Sequence, residues 1–330
     1  MQAIQVKVPG GCQALQLVEI PLPVPRDNEV RVKAQFIGIS SADILIRKGI
    51  YSWMPALPAI PGNEMVGVID AVGSKVSPDL HGQVVLVSSR ELDFRGGCYA
   101  QAICVPAASV FVLPKSINPI DAICLPNYQL AGAILHHSGI RPSKSAVVYG
   151  AAGGVGFAIS QLAMADGMQV ISIVSSEEKK TFVKNSGIQF VLNRTQDDLR
   201  EEVMKITDGT GVDLVCAMGG DDFIANLDLL APLGTLLSFG ILGGIPDDNI
   251  YSELRKRLGK SLGVRVYSIH TLDHDSELRR GLMIRAIDLL SEGRIEPQAP
   301  TIFKLSEACS AHELMESGAL IGKLVLVPDD

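Results

Sequence analysis

The stretch VVYGAAGGVGFAISQLA, residues 147–163, runs from a short apolar segment into Gly150, Gly153, Gly154 and Gly156 and then straight into a helical pattern. Strand, glycine turn and helix stand in the order that a phosphate cradle needs. Glycine permits the tight turn and lets backbone amides approach a pyrophosphate, while the last glycine lets the helix pack closely on the sheet. The amides and dipole of the helix N-terminus then face the anion. Gly150, Ala152, Gly153, Gly154, Val155 and Gly156 are therefore the expected dinucleotide-binding turn.

Outward from that turn, the apolar runs 146–149, 169–174, 189–192, 212–217 and 235–239 are each followed by a helical pattern. This alternation predicts an α/β fold, a doubly wound parallel sheet covered by helices. Residues 1–114 have another texture, with short alternating runs such as 30–37 and 66–72 separated by Gly and Pro, which reads as a compact β region. Past Ser261 come an apolar run at 263–269, a helical pattern near 278–292 and a closing run at 323–327. The expected division is a dinucleotide-binding domain over 121–261 and a β-rich domain over 1–120, completed by 262–330.

A chain of 330 residues has length for about two domains at ~150 residues each. Hydrophobic residues make up 47% and charged residues 20%, which excludes the polar composition of disorder. Lys+Arg 29 against Asp+Glu 36 leaves a formal charge of −7, a repulsive field for nucleic acid. The cysteines, Cys12, Cys98, Cys104, Cys124, Cys216 and Cys309, form no CxxC pair. No disulfide framework is expected, and a reducing cytoplasm fits best. No uncharged apolar run reaches the ~18 residues of a membrane span, and the first residues do not read as a secretion signal.

The second strand of the alternation ends in VSSEEK, residues 174–179. NAD-selective folds carry an acid at that tip to accept hydrogen bonds from the ribose 2′-hydroxyl. Here the tip is Ser175, with Lys179 one helical turn on and Arg194 just after the third strand, a set suited to a 2′-phosphate and hence to NADPH. Ser175 to Glu178 also reads as a capping box, and Glu177 and Glu178 oppose an incoming phosphate.

Taken together with GISSADILIRKGIY at 38–51, PGNEMVGVIDAVG at 61–73, GGCYAQAICVP at 96–106, GVDLVCAMGG at 211–220, LLSFG at 236–240 and GKLVLVP at 322–328, these residues resemble the medium-chain dehydrogenase/reductase superfamily. Within it, the chain is most similar to the zinc-free quinone oxidoreductase (zeta-crystallin-like) group. The resemblance implies a GroES-like β domain built from both chain ends, a Rossmann domain between them and an active site in the cleft. Where the zinc-dependent alcohol dehydrogenases have a cysteine and a histidine as metal ligands, this chain has Ser40 and Asn63, and the third ligand position falls near Tyr128. No catalytic or structural zinc is expected. His270, Asp273, His274 and Asp275 are read as an exposed, solvated loop.

Without a Lewis acid, the remaining natural reaction is hydride transfer from NADPH to a quinone or an α,β-unsaturated carbonyl acceptor. The family's polar substrate-side positions map onto Ser40 and Tyr51, with Tyr51 the candidate proton donor to a developing enolate; another site often tyrosine in the group is Leu45. Asp43 and Glu64 read as structural, and Ala131 replaces a threonine near the nicotinamide. Met218 and Gly219 are expected to border the adenosine half of the cofactor, and Gly240 and Leu242 the nicotinamide. A homodimer is expected from the resemblance and from the edge position of the 263–269 run. The alternative reading is an NADPH-binding scaffold of the same fold without appreciable turnover.

Overall fold

The computed structural model describes residues 1–139, 141–220, 222–240 and 244–329. The chain divides into two compact units, one made of Met1–Pro126 with Arg285–Asp330 and the other of Asn127–Ile284. The return to the first unit thus comes at 285 and not at 262, as the sequence had led us to expect. The reason lies in strand pairing: Gly263–Val266 lies parallel to Leu230–Ser238, with Thr235 opposite Gly263 and Ser238 opposite Val266. Gln129 also donates to the carbonyl of Arg279 at 2.9 Å, tying the segment after that strand to the same unit.

In the second unit the strands are β1 (Ser145–Tyr149), β2 (Gln169–Val174), β3 (Phe190–Asn193), β4 (Val212–Ala217), β5 (Leu230–Ser238) and β6 (Gly263–Val266). They form a six-stranded sheet in the order β3-β2-β1-β4-β5-β6, and every pairing is parallel. This is the doubly wound Rossmann arrangement, with the strand order reversing between β1 and β4. Val147, Ile171, Ile173, Val215 and Leu236 meet in a buried core. That burial on a two-sided sheet is why these strands read as unbroken apolar runs. β5 begins five residues earlier than its apolar run, because Pro232, Leu233 and Gly234 look like a turn. There Leu233 takes a φ of +66° and the register with β4 shifts between Val212 and Leu214.

The first unit is the β-rich GroES-like one. A seven-stranded sheet joins Thr301–Lys304, Leu324–Val327, Glu29–Gly38, Glu64–Val72, Val84–Ser88 and Phe111–Val112 in that order, with Ala102–Pro106 also pairing Glu29–Gly38. The chain's last strand enters it antiparallel, Val325 opposite Gly38. Glu29–Gly38 shows why the alternating pattern works: Val30, Val32 and Ala34 point into the core while Lys33 and Gln35 are exposed. Cys12 and Cys309 are joined by a disulfide, Cα–Cα 5.0 Å, across 297 residues of sequence. That pair corrects the expectation from spacing alone, which sees only neighbours.

The His270 stretch also differs from a wholly exposed loop. His270 and Asp273 pair at 2.9 Å with their side chains largely covered, in the turn Ile269–Leu272, while His274 and Asp275 are exposed. Among the described residues, no helix is long and apolar enough to cross a membrane.

Candidate cofactor and acceptor sites

β1 ends at Tyr149 and the chain turns through Gly150, whose φ is +64°. The Gly153 amide donates to the Gly150 carbonyl at 2.8 Å. Gly153 then stands as N-cap of the helix α1 (Gly154–Ala165), with no side chain capping it. The first amides of α1 therefore remain open to an anion. A β-carbon at Gly156 would strike the carbonyl oxygens of Tyr149 and Gly150, so only glycine lets the helix begin so close to the strand. Ala152 is buried and Val155 half-buried in the same turn. The methyl group of Met218 rests against Gly150, where a β-carbon would meet its Cε. Gly240 faces the Met218 side chain in turn, 3.8 Å from Cγ to a β-carbon built on it. Gly219 follows Met218 with a φ of +74°. Leu242 lies outside the described residues.

At the tip of β2 the helix α2 (Glu177–Asn185) is capped by Ser176, whose hydroxyl accepts from the Lys179 amide at 3.3 Å. The capping role thus falls one residue later than the expected Ser175, because it is Ser176 that has the extended backbone of an N-cap. Ser175 instead accepts from the Lys179 ammonium at 3.4 Å. Arg194 arrives beside them through β3: its amide donates to the Val174 carbonyl at 3.0 Å. Ser175, Lys179 and Arg194 are thereby gathered at one corner. Glu177 is engaged elsewhere, accepting from the Asn193 side chain at 2.8 Å, and Glu178 is exposed.

Sequence reasoning missed Asp222, whose carboxylate lies 3.8 Å from the Arg194 guanidinium, both half-exposed. It also missed Tyr149, whose hydroxyl donates to Asn226 at 2.5 Å and is pushed up in pKa by burial. No local pattern signals either pairing.

In the first unit, Ser40 caps the helix Ser41–Lys48 in a capping box with Asp43. The Asp43 carboxylate accepts from the Ser40 amide and hydroxyl at 2.7 Å each, from the Gly62 amide at 2.9 Å and from the Asn63 side chain at 2.7 Å. Asn63 in turn accepts from the Ser89 hydroxyl at 2.5 Å. Burial pushes the Asp43 carboxyl up to about 6, against the pull of the Ser40 hydrogen bonds. Glu64 pairs with Lys323 at 2.5 Å, both side chains 4% exposed. Tyr51 is half-buried, with its ring 5.7 Å from that of Trp53. Leu45 is half-buried on the same helix, and Ala131 is fully buried on the helix Leu125–His136. The Tyr128 hydroxyl donates to Gln161 at 2.6 Å, within the second unit.

Ser40 and Asn63 do not fit a tetrahedral zinc. They offer a hydroxyl and an amide already committed to Asp43 and Ser89, where zinc takes thiolates or imidazoles. Among the described residues the one close grouping of candidate ligand atoms is Cys12, Cys309 and Glu313, away from those positions in the sequence, and its two sulfurs are bonded to each other.

Residues 26–115 match the family model described as alcohol dehydrogenase GroES-like domain, and residues 154–279 the one described as zinc-binding dehydrogenase. Mouse quinone oxidoreductase is 30% identical, covering 99% of this chain and 98% of its own. The chain belongs to the quinone oxidoreductase group of the medium-chain dehydrogenase/reductase superfamily. The crystal structure of Escherichia coli quinone oxidoreductase complexed with NADPH superposes with a TM-score of 0.86 at 28% identity, covering 99% of this chain and 100% of that one. The zebrafish synaptic vesicle membrane protein VAT-1 homolog is 29% identical over 97% of this chain and 68% of its own length. In this chain Ser175 and Lys179 stand at the tip of β2 and Arg194 follows β3.

Proposed function

We propose that this protein transfers a hydride from NADPH to a quinone or an α,β-unsaturated carbonyl compound without help from a metal. The observation that carries the reading is the closed Ser40–Asp43–Asn63 cluster, in which polar groups bond one another where the zinc branch holds its ion. A simple ketone needs a Lewis acid to polarise its oxygen, whereas a quinone or enone delocalises the incoming charge itself. NADPH, when bound, supplies the hydride, and the protein's part is to position and to hydrogen-bond.

The 150–156 turn receives the pyrophosphate in this reading, and Ser175, Lys179 and Arg194 receive the 2′-phosphate. Met218 and Gly219 border the adenosine half, and Gly240 and Leu242 the nicotinamide. Tyr51 donates to the oxygen on which charge develops. The Ser40 hydroxyl already gives its proton to Asp43 at 2.7 Å, so it is left with acceptor capacity only and serves to hold the start of the helix that leads to Tyr51.

Purified protein is expected to consume NADPH with small quinones and enals, to oxidise alcohols poorly and to be indifferent to EDTA. About one zinc per chain, with activity lost to the chelator, would defeat the proposal. Tight NADPH binding with no turnover across the panel would favour the scaffold reading.

A homodimer belongs to the same proposal. β6 lies at the edge of its sheet with Val266 84% exposed, and a free edge is a template for pairing with its twin. Light scattering at micromolar concentration should give twice the chain mass; a monomer counts against pairing at this edge. We also place the protein in a reducing cytoplasm, which suits the free thiols of Cys98, Cys104, Cys124 and Cys216 and would keep the Cys12–Cys309 disulfide open to reduction.

A further inference from the structure

We infer that Cys12 and Cys309 are a reversible thiol–disulfide clasp, exchanging with small-molecule disulfides and thiols, that governs the order of the loop carrying Tyr51. Cys12 is buried in the turn Cys12–Ala14, while Cys309, in the helix Ala308–Glu316, is partly exposed. Their Cα separation of 5.0 Å admits the bond without backbone movement.

The segment running up to Cys12 grips both ends of the Tyr51 loop. At one end, Val6 exchanges both backbone hydrogen bonds with Ala59, at 2.8 and 2.9 Å. At the other, the Gly10 amide donates to the Arg47 carbonyl at 2.9 Å, and Pro9 packs so closely on Gly49 that a β-carbon there would lie 2.7 Å from it. Tyr51 sits between those anchors. The C-terminal helix holds the same region through Glu316, which pairs with Arg47 at 2.8 Å and Lys48 at 2.6 Å. Arg47 contributes only Nη2 to this, since its buried Nε and Nη1 have no hydrogen-bond partner. The disulfide is thus the covalent part of a hold that is otherwise ionic and backbone.

Closure needs an oxidant, here a low-molecular-weight disulfide such as oxidised glutathione. The Cys309 thiolate, the more exposed, attacks one sulfur of that disulfide; a mixed disulfide forms and one thiolate leaves. The Cys12 thiolate then attacks the Cys309 sulfur, the second thiolate leaves, and the two protons lost by the protein thiols pass to the released thiolates. Opening is the reverse, with external thiol attacking Cys309. The other four cysteines are free thiols.

Full-length protein equilibrated with oxidised glutathione, then denatured and alkylated, should yield four reactive thiols and a Cys12–Cys309 cross-linked peptide; after dithiothreitol it should yield six. Hydrogen exchange of residues 49–59 should quicken about tenfold on reduction, and Cys12→Ser should match reduced wild type with or without reductant. NADPH affinity, a property of the second unit, should not move. Six thiols under both conditions, or exchange at 49–59 that ignores reductant, would overturn the clasp. The effect on catalysis rests on the Tyr51 role proposed above: reduction should raise KM for the acceptor. A changed exchange rate with an unchanged KM would sustain the clasp and remove Tyr51 from the acceptor site.

Discussion

Alanine in place of Lys179 is expected to weaken NADPH binding by about tenfold or more while leaving NADH almost untouched, the scale of one charge-assisted hydrogen bond after solvent screening. The ammonium already points at Ser175, 3.4 Å from its hydroxyl, so it is held where a 2′-phosphate would meet it. Arg194→Ala should act in the same direction but less, because its half-exposed guanidinium lies 3.8 Å from Asp222 and must share itself between that carboxylate and the phosphate. Together the two cations should give wild type a preference for NADPH on the order of a hundredfold, narrowing as salt is added. Glu177 is drawn off by Asn193, so Glu177→Gln should change little. Equilibrium titration of both cofactors against wild type and each variant decides the matter. Equal wild-type affinities, or equal losses for the two cofactors, would show that the phosphate is held elsewhere.

Lys323→Met should cost about 3–5 kcal/mol of stability, the scale for leaving one member of a buried ion pair without its partner. Lys323 and Glu64 meet at 2.5 Å with 4% of each side chain exposed, and the ammonium also reaches the Ile39 carbonyl at 3.4 Å. Methionine fills similar volume, so the loss is electrostatic and not a cavity. The double variant with Glu64→Gln should recover much of it, since no buried charge then lacks a partner. Urea denaturation of the two single variants and the double variant reads the coupling directly. Additive losses would mean that the pair contributes nothing beyond its separate groups. The pairing also stitches the last strand of the chain to the middle of the sheet, so Lys323→Met should loosen residues 301–327 first, visible as faster hydrogen exchange there.

The glycine turn shows how much can be read locally. Strand, turn and helix are contiguous, and the shape of the turn follows from backbone sterics that involve only residues a few places apart. The same holds for the parallel alternation of 146–217 and for the missing acid at Ser175, because two-sided burial and a strand-tip residue leave their mark on consecutive positions. The start of β5 was obscured for an equally local reason: Pro232 and Gly234 imitate a turn, and only pairing with β4 shows the strand continuing through a bulge. Which serine caps α2 depended on backbone angles that a run of two serines does not distinguish.

Contacts between distant residues decided the remainder. Cys12 with Cys309, Glu64 with Lys323 and Arg194 with Asp222 are separated by 297, 259 and 28 residues, and no spacing in the sequence marks any of them. The boundary at 284 likewise depended on β6 finding β5. Periodicity is written by the burial of successive side chains, so it survives in the sequence; the partner of a charge or a thiol is chosen by the path of the folded chain, and that path exists only in three dimensions.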